Sequence, residues 1–391
     1  MNAEIYARFD APFSRTDTES VKWDMRAELG NADALPLWIA DMDFPTAEGV
    51  ISGLSARTAH GAFGYSLGQD RDRQALTDWY ASRHGCSFTP DDILFCPGVV
   101  DGLYHALCAL YPKGSRIVIQ PPVYGPFFSV CEKAGMQAVE NPLVRKGGKW
   151  QMDFEGLEEI FKAGAQALML CSPHNPVGRI WTKAELETLA ALCRRYSVRI
   201  IADEIHCDFE LEGKHTNILS VPGAQDAIML VSATKTFNLA ALRHSAVVCR
   251  DEQARKKLSD RLSEVMADVN LFGRLATRLA YTTGAEWLDT LLVYLREGRD
   301  ILERGILDTG RLLPTHVEGT YLMWVDCRAL GLAGDALRDF FVKTAGVIPN
   351  EGKFFGPAGE GFVRLNFATC HENLREAVKR IKTAVNELKI I

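Results

Sequence analysis

A lysine that follows an apolar strand and precedes more apolar residues is a candidate nucleophile, and position 235 has that setting. Ser232–Asn238 reads SATKTFN, with Ile228–Val231 before it and Leu239–Leu242 after it. Lysine is rarely buried without a partner. A desolvated amine loses proton affinity and becomes a usable nucleophile towards carbonyls. The hydroxyls of Ser232 and Thr234, with Arg243 eight residues beyond Lys235, could hold a dianionic phosphate. A snorkelling surface lysine beside a helix start fits the same segment.

A second group sits in IIADEIHCDF, Ile200–Phe209. Asp203 ends an apolar run, where an unpartnered carboxylate is costly. A protonated ring nitrogen would be a suitable partner, and keeping that nitrogen charged turns the ring into an electron sink. His206 could reach an oxygen on such a ring. The alternatives are a helix N-cap for Asp203 and a structural or metal-binding role for His206; no second histidine stands at ligand spacing, which argues against a metal.

Four further segments carry candidates. In CSPHNPVGRIW, Asn175 lies between two prolines and could donate to a ring oxygen or simply close an Asx turn. In FCPGVVDGLY, Gly98 permits a tight turn, and the N–H groups of Val99 and Val100 would open a helix pointing at an anion. In QPPVYGPF, Tyr124 could stack on a planar group or merely pack. In FVRLNF, alternation puts Phe362, Arg364 and Asn366 on one face; Arg364 could clamp a carboxylate or make a structural ion pair.

These residues need elements to position them. Arg116–Gln120, Ala167–Cys171, Val198–Ala202, Ile228–Ser232 and Ser245–Cys249 are apolar runs of strand length. Between them lie helix patterns: Thr182 and Glu185 form a capping box ahead of Leu186, Leu189, Ala190 and Cys193, with Arg194 and Arg195 in the last turn. The alternation predicts an α/β fold, a mostly parallel sheet sandwiched by helices, with polar residues at the carboxyl ends of the strands where ligands bind. Gly319–Val325 and Phe362–Phe367 read as strands of a smaller α+β domain, closed by a helix bearing Leu374, Val378, Ile381, Val385 and Leu388. The expected division is an arm over 1–45 that joins the small domain, a large domain over 46–285 and the small domain over 286–391.

Composition excludes other classes. With 44 basic and 50 acidic residues the net charge is −6, and no basic stripe marks a nucleic-acid partner. No apolar stretch of about 18 residues predicts a membrane span. The opening MNAEIYARFD does not read as an export signal, and ten cysteines scattered singly through apolar segments read as reduced thiols of a cytoplasmic protein.

Taken in order, P-G, P-x-Y, N-P-x-G, D-x-x-H, S-x-T-K with arginine eight residues on, and R-L-N resemble the fold type I enzymes dependent on pyridoxal 5′-phosphate (PLP), including the class I and II aminotransferases, across nearly the whole chain. The resemblance implies an aspartate aminotransferase-like arrangement of the two domains. It makes Lys235 the Schiff-base lysine, Asp203 the partner of the pyridine nitrogen, Asn175 the ring-oxygen donor, Tyr124 the stacking ring and Arg364 the anchor of the α-carboxylate. Ser232, Thr234, Arg243 and the amides of Val99 and Val100 match the phosphate cradle. Tyr65, in AFGYSLG, is similar to the tyrosine that reaches the phosphate from a partner subunit, which implies a homodimer with shared sites.

LPLWIADMDFP (Leu35–Pro45), DEIHCDFEL and GTYLMWVDC are similar to the MalY/PatB-type carbon–sulfur lyases. The function this implies is cleavage of cystathionine or another cysteine S-conjugate to a thiol, pyruvate and ammonia. Lys235 would be the base, Tyr124 would assist at the sulfur, and backbone near Ile39 and Ala40 would help Arg364. An aminotransferase uses the same residues and is the alternative. A PLP-binding regulatory protein is a third reading, against which the full set of catalytic residue types argues.

Overall fold

In the computed structural model, which describes residues 2–388, two sheets organise the chain. The larger has seven strands in the order Ile93–Cys96, Ser245–Cys249, Ile228–Val231, Arg199–Asp203, Ala167–Cys171, Arg116–Ile119 and Gln137–Glu140. The last five of these run parallel to one another. Ser245–Cys249 is antiparallel to both its neighbours.

Helices cover both faces of this sheet, and strand alternation decides which residue meets which layer. Ile117, Ile119, Met169, Ile201 and Leu230 pack with Val99, Leu103, Leu107, Phe127 and Leu258 on one face. Val118, Leu168, Leu170, Ile200, Ala202 and Met229 pack with Leu186, Leu189, Ala276 and Ala280 on the other. The helix Lys183–Arg195 begins with the expected reciprocal capping box of Thr182 and Glu185.

The smaller sheet has five strands: Leu35–Leu37, Val347–Glu351, Phe362–Asn366, Leu322–Asp326 and Leu313–Pro314. Its first pair is parallel and the rest antiparallel. The N-terminal part of the chain therefore supplies an edge strand to the sheet made by the C-terminal part. The closing helix His371–Glu387 buries Leu374, Ile381 and Val385; Leu388 lies just past its end.

Five strand boundaries differ from the sequence expectation: the strands at Arg116–Ile119, Ile228–Val231 and Phe362–Asn366 each stop one residue short, and two others differ more. Arg199–Asp203 replaces Val198–Ala202, so Asp203 is itself the last residue of the strand. In GTYLMWV the strand begins only at Leu322, because Thr320 takes a left-handed φ of 76° that no extended strand accommodates. Among the described residues no helix is long and apolar enough to cross a membrane. All ten cysteines are unpaired, most of them buried.

Candidate active site

The carboxyl ends of Ala167–Cys171, Arg199–Asp203 and Ile228–Val231 open into a cavity of about 500 Å³. Trp38, Ile39 and Ala40 from the N-terminal segment, Asn350 and Arg364 from the small sheet and Phe354 from the turn Gly352–Phe355 also line it. Lys235 lies on the short helix Ala233–Thr236, one turn beyond its strand, and lines this cavity; it is not a surface lysine. Its Nζ donates to the carbonyl of Ala40 at 2.6 Å. Burial pulls the amine down to about 8, against the nearby negative charge of Asp41.

Asp203 is 5% exposed and faces the same cavity. One of its oxygens accepts the N–H of Ile205 at 3.1 Å. Burial raises its carboxyl to about 7, and the adjacent Glu204 adds to the rise. Glu204 is fully buried and held by His215, Asn217 and the N–H of Ile218. The site therefore carries a desolvated carboxylate that a cation in the cavity would stabilise.

His206 is buried, and its Nδ1 has no partner. Burial, with Lys235 and Arg364 nearby, drives its pKa down to about 3, so the ring is neutral. The edge of Tyr321 packs against it at 5.9 Å between centroids.

Arg364 is 2% exposed, in the middle of the strand Phe362–Asn366. Its Nη1 donates to Oδ1 of Asn175 at 3.0 Å and its Nη2 to the carbonyl of Trp38 at 2.8 Å, with the guanidinium over the ring of Phe355. Nε is left without a partner, and burial lowers the pKa to about 10, which keeps the group charged at neutral pH. No carboxylate pairs with it among the described residues, so it is not a structural ion pair. Asn366, on the same face, donates to the carbonyls of Ile39 and Asp41, both at 2.7 Å. Tyr124 lines the cavity with its ring edge against Phe354, and burial raises its hydroxyl pKa.

At the other end, the helix Val99–Leu110 begins at Gly98 with no side chain capping it. Thr234 and Arg243 stand beside it in the cavity wall. Ser232 is one layer behind: its hydroxyl bonds Thr234 Oγ1 and the carbonyl of His244, both at 2.7 Å. Tyr65 does not reach this cavity within its own chain; it stands in full solvent in the irregular segment before Gln69–Trp79.

The donor set therefore has an amine, a carboxylate lacking a cation, a free amide donor at Asn175 and an uncapped helix N-terminus with hydroxyls and an arginine. It fits a phosphorylated aromatic aldehyde with a basic ring nitrogen. Sequence reasoning did not single out Asp101, Cys171, Ile205, Asn350 or Phe354, which also line the cavity. Only Asp101, a charge in the first turn of an apolar helix, left a readable signal.

A mostly parallel sheet with these groups at its strand ends defines a fold type I pyridoxal-phosphate enzyme. The chain belongs to the aminotransferase class I and II family, which it matches over residues 47–381. It is 37% identical to cystathionine beta-lyase PatB of Bacillus subtilis strain 168, over 97% of this chain and 100% of PatB. It is 30% identical to protein MalY of Escherichia coli K12, over 97% of this chain and 99% of MalY. The PLP-bound C–S lyase of Staphylococcus hominis shares the fold with a TM-score of 0.90 and 28% identity, over 97% of this chain and 98% of that one.

Proposed function

We propose that this chain is a carbon–sulfur β-lyase that cleaves cystathionine or another cysteine S-conjugate to a thiol, pyruvate and ammonia. The observation that carries the reading is the convergence of Lys235, Asp203 and Arg364 on one cavity, in a chain that matches PatB end to end.

When bound, PLP supplies an aldehyde that condenses with an amine and a ring that spreads a carbanion's charge. Lys235 would anchor the aldehyde and Asp203 the ring nitrogen. Asn175 and His206 would face the ring oxygen, and Tyr124 would stack on the ring. Thr234, with Ser232 behind it, Arg243 and the amides of Val99 and Val100 would take the phosphate.

Arg364 holds the α-carboxylate of the substrate by charge-assisted hydrogen bonds, assisted by the N–H groups of Ile39 and Ala40. The carbonyls of those two residues are already engaged by Asn366 and Lys235. Lys235, its amine lowered by burial to about 8, is more readily neutral than an ordinary lysine and takes the α-proton as general base. The β-carbon–sulfur bond then breaks towards sulfur. Tyr124, whose hydroxyl stays protonated, would donate a hydrogen bond to the departing sulfur.

Tyr65 points to a homodimer: it is exposed together with Phe63 and Leu67, and would complete a partner's phosphate site. The unpaired cysteines are in keeping with a cytoplasmic setting. Incubation with cystathionine tests the reaction. Pyruvate and free thiol in equal amounts are expected; a keto acid that keeps its sulfur, with no thiol released, makes the chain an aminotransferase instead.

A further inference from the structure

The proposed phosphate end of the cavity contains a negative charge that the cofactor does not need. Asp101 is in the first turn of Val99–Leu110 and lines the cavity beside Gly98, Val99 and Val100. Its Oδ2 lies so close to Gly98 that a Cβ on that glycine would come within 2.6 Å of it. The same oxygen accepts Nη2 of Arg243 at 3.2 Å. Arg243 has no other carboxylate partner among the described residues.

The backbone at Arg243 makes this pairing specific. Arg243 closes the turn Ala240–Leu242 in the left-handed region, at φ 48°. A bulky residue there costs about 1 kcal/mol or more and persists where the surroundings hold it. The turn aims the guanidinium at the start of the helix, where Asp101 meets it. A carboxylate at a helix N-terminus is favourable in itself, because the uncapped N–H groups carry partial positive charge. Asp101 thus places at the helix start, and on Arg243, a charge of the same sign as a phosphate.

We infer that Asp101 is an internal anion that competes with the phosphate of PLP for Arg243 and for the N-terminus of Val99–Leu110. This rests on reading the cavity as the PLP site. A dianion entering the cradle meets a fixed like charge and must share or take over its arginine, and like charges brought together oppose binding. The chain therefore holds its cofactor exchangeably, with Asp101 setting the free PLP concentration at which the site fills. It contributes nothing against an unphosphorylated aldehyde.

Equilibrium retention of the cofactor tests this without reference to turnover. Holoenzyme and its Asp101→Asn variant are dialysed against a series of PLP concentrations, and bound cofactor is counted as the pyridoxyl label left on Lys235 after borohydride reduction. The variant should stay loaded at roughly tenfold lower free PLP, the size of one like-charge contact at a partly exposed site. The gap should narrow as salt is raised. Unphosphorylated pyridoxal should label both proteins equally, and Asp101→Ser should shift PLP retention in the same direction. Equal or weaker PLP retention by both variants overturns the inference and makes Asp101 a support for Arg243. No label on Lys235 from either aldehyde, in either protein, identifies a different failure: the cavity is then not the PLP site.

Discussion

Arg364 donates to Oδ1 of Asn175 at 3.0 Å, joining a strand of the small sheet to the turn after a strand of the large one. The bond does two things. It turns the amide so that Nδ2, a donor, is what Asn175 offers the cavity. It also fixes the guanidinium of Arg364 in the cavity wall. A residue that anchors substrate and one that faces the cofactor are thereby set by each other.

Arg364→Ala removes that anchor and strips Asn175 of its partner. Loss of a buried, hydrogen-bonded charge contact costs roughly 2–5 kcal/mol. The expected result is a large rise in KM for every amino-acid substrate, with the cofactor still bound. Steady-state kinetics on a cysteine conjugate measures it, and unchanged KM would place the carboxylate elsewhere.

Asp203→Asn keeps the shape and removes the charge. The cofactor should still attach to Lys235, while kcat falls about 10²–10³-fold, as when one preorganised electrostatic contribution is lost. Single-turnover rates and the absorbance of the bound cofactor separate the two effects.

Lys22 is fully buried, donating to Asp43 Oδ2 at 2.8 Å and to the carbonyl of Asp41 at 3.0 Å. With Arg15, Asn238 and Asn366 it staples the segment that carries Ile39 and Ala40. Lys22→Ala should destabilise the fold by about 3 kcal/mol, the low end for breaking a buried pair, because Trp23 and Arg15 still hold Asp43. Urea denaturation reads the loss.

His316 is bonded by Glu303 at 2.8 Å and Glu212 at 2.7 Å, tying the helix Ala285–Leu307 to the loop after Asp208. The hydrogen bond to Glu303, helped by Glu212, raises its pKa from 6.5 to about 9. The folded chain thus favours the imidazolium. The stabilisation is complete below pH 6.5 and disappears as pH rises through about 9. In His316→Gln the difference in Tm from the parent should be largest near pH 6 and vanish above about pH 9.5; a constant difference would show that His316 acts by packing alone.

Much of this site was legible because the chemistry sits where apolar runs stop. Ala167–Cys171 and Ser245–Cys249 have the strand bounds their composition predicts; Asp203 stands out as a charge ending an apolar strand and Lys235 as a charge just past another. Arg364 stood out as a lone cation in an apolar strand. What could not be read depends on contacts between distant segments. Nothing local marks Lys22 for burial or tells that Lys235 meets Ala40, and Asn350 and Phe354 reach the cavity only through sheet pairing and a loop. Gly319–Val325 misled because its β-branched and aromatic composition masks the left-handed turn at Thr320.

The amine at Lys235 is the point on which the reading turns. Protein supplied with PLP, reduced with borohydride, digested and mapped by mass spectrometry should carry one phosphopyridoxyl group, on Lys235, and Lys235→Ala should carry none. A label on another lysine, or a colourless and unlabelled protein, would contradict the account.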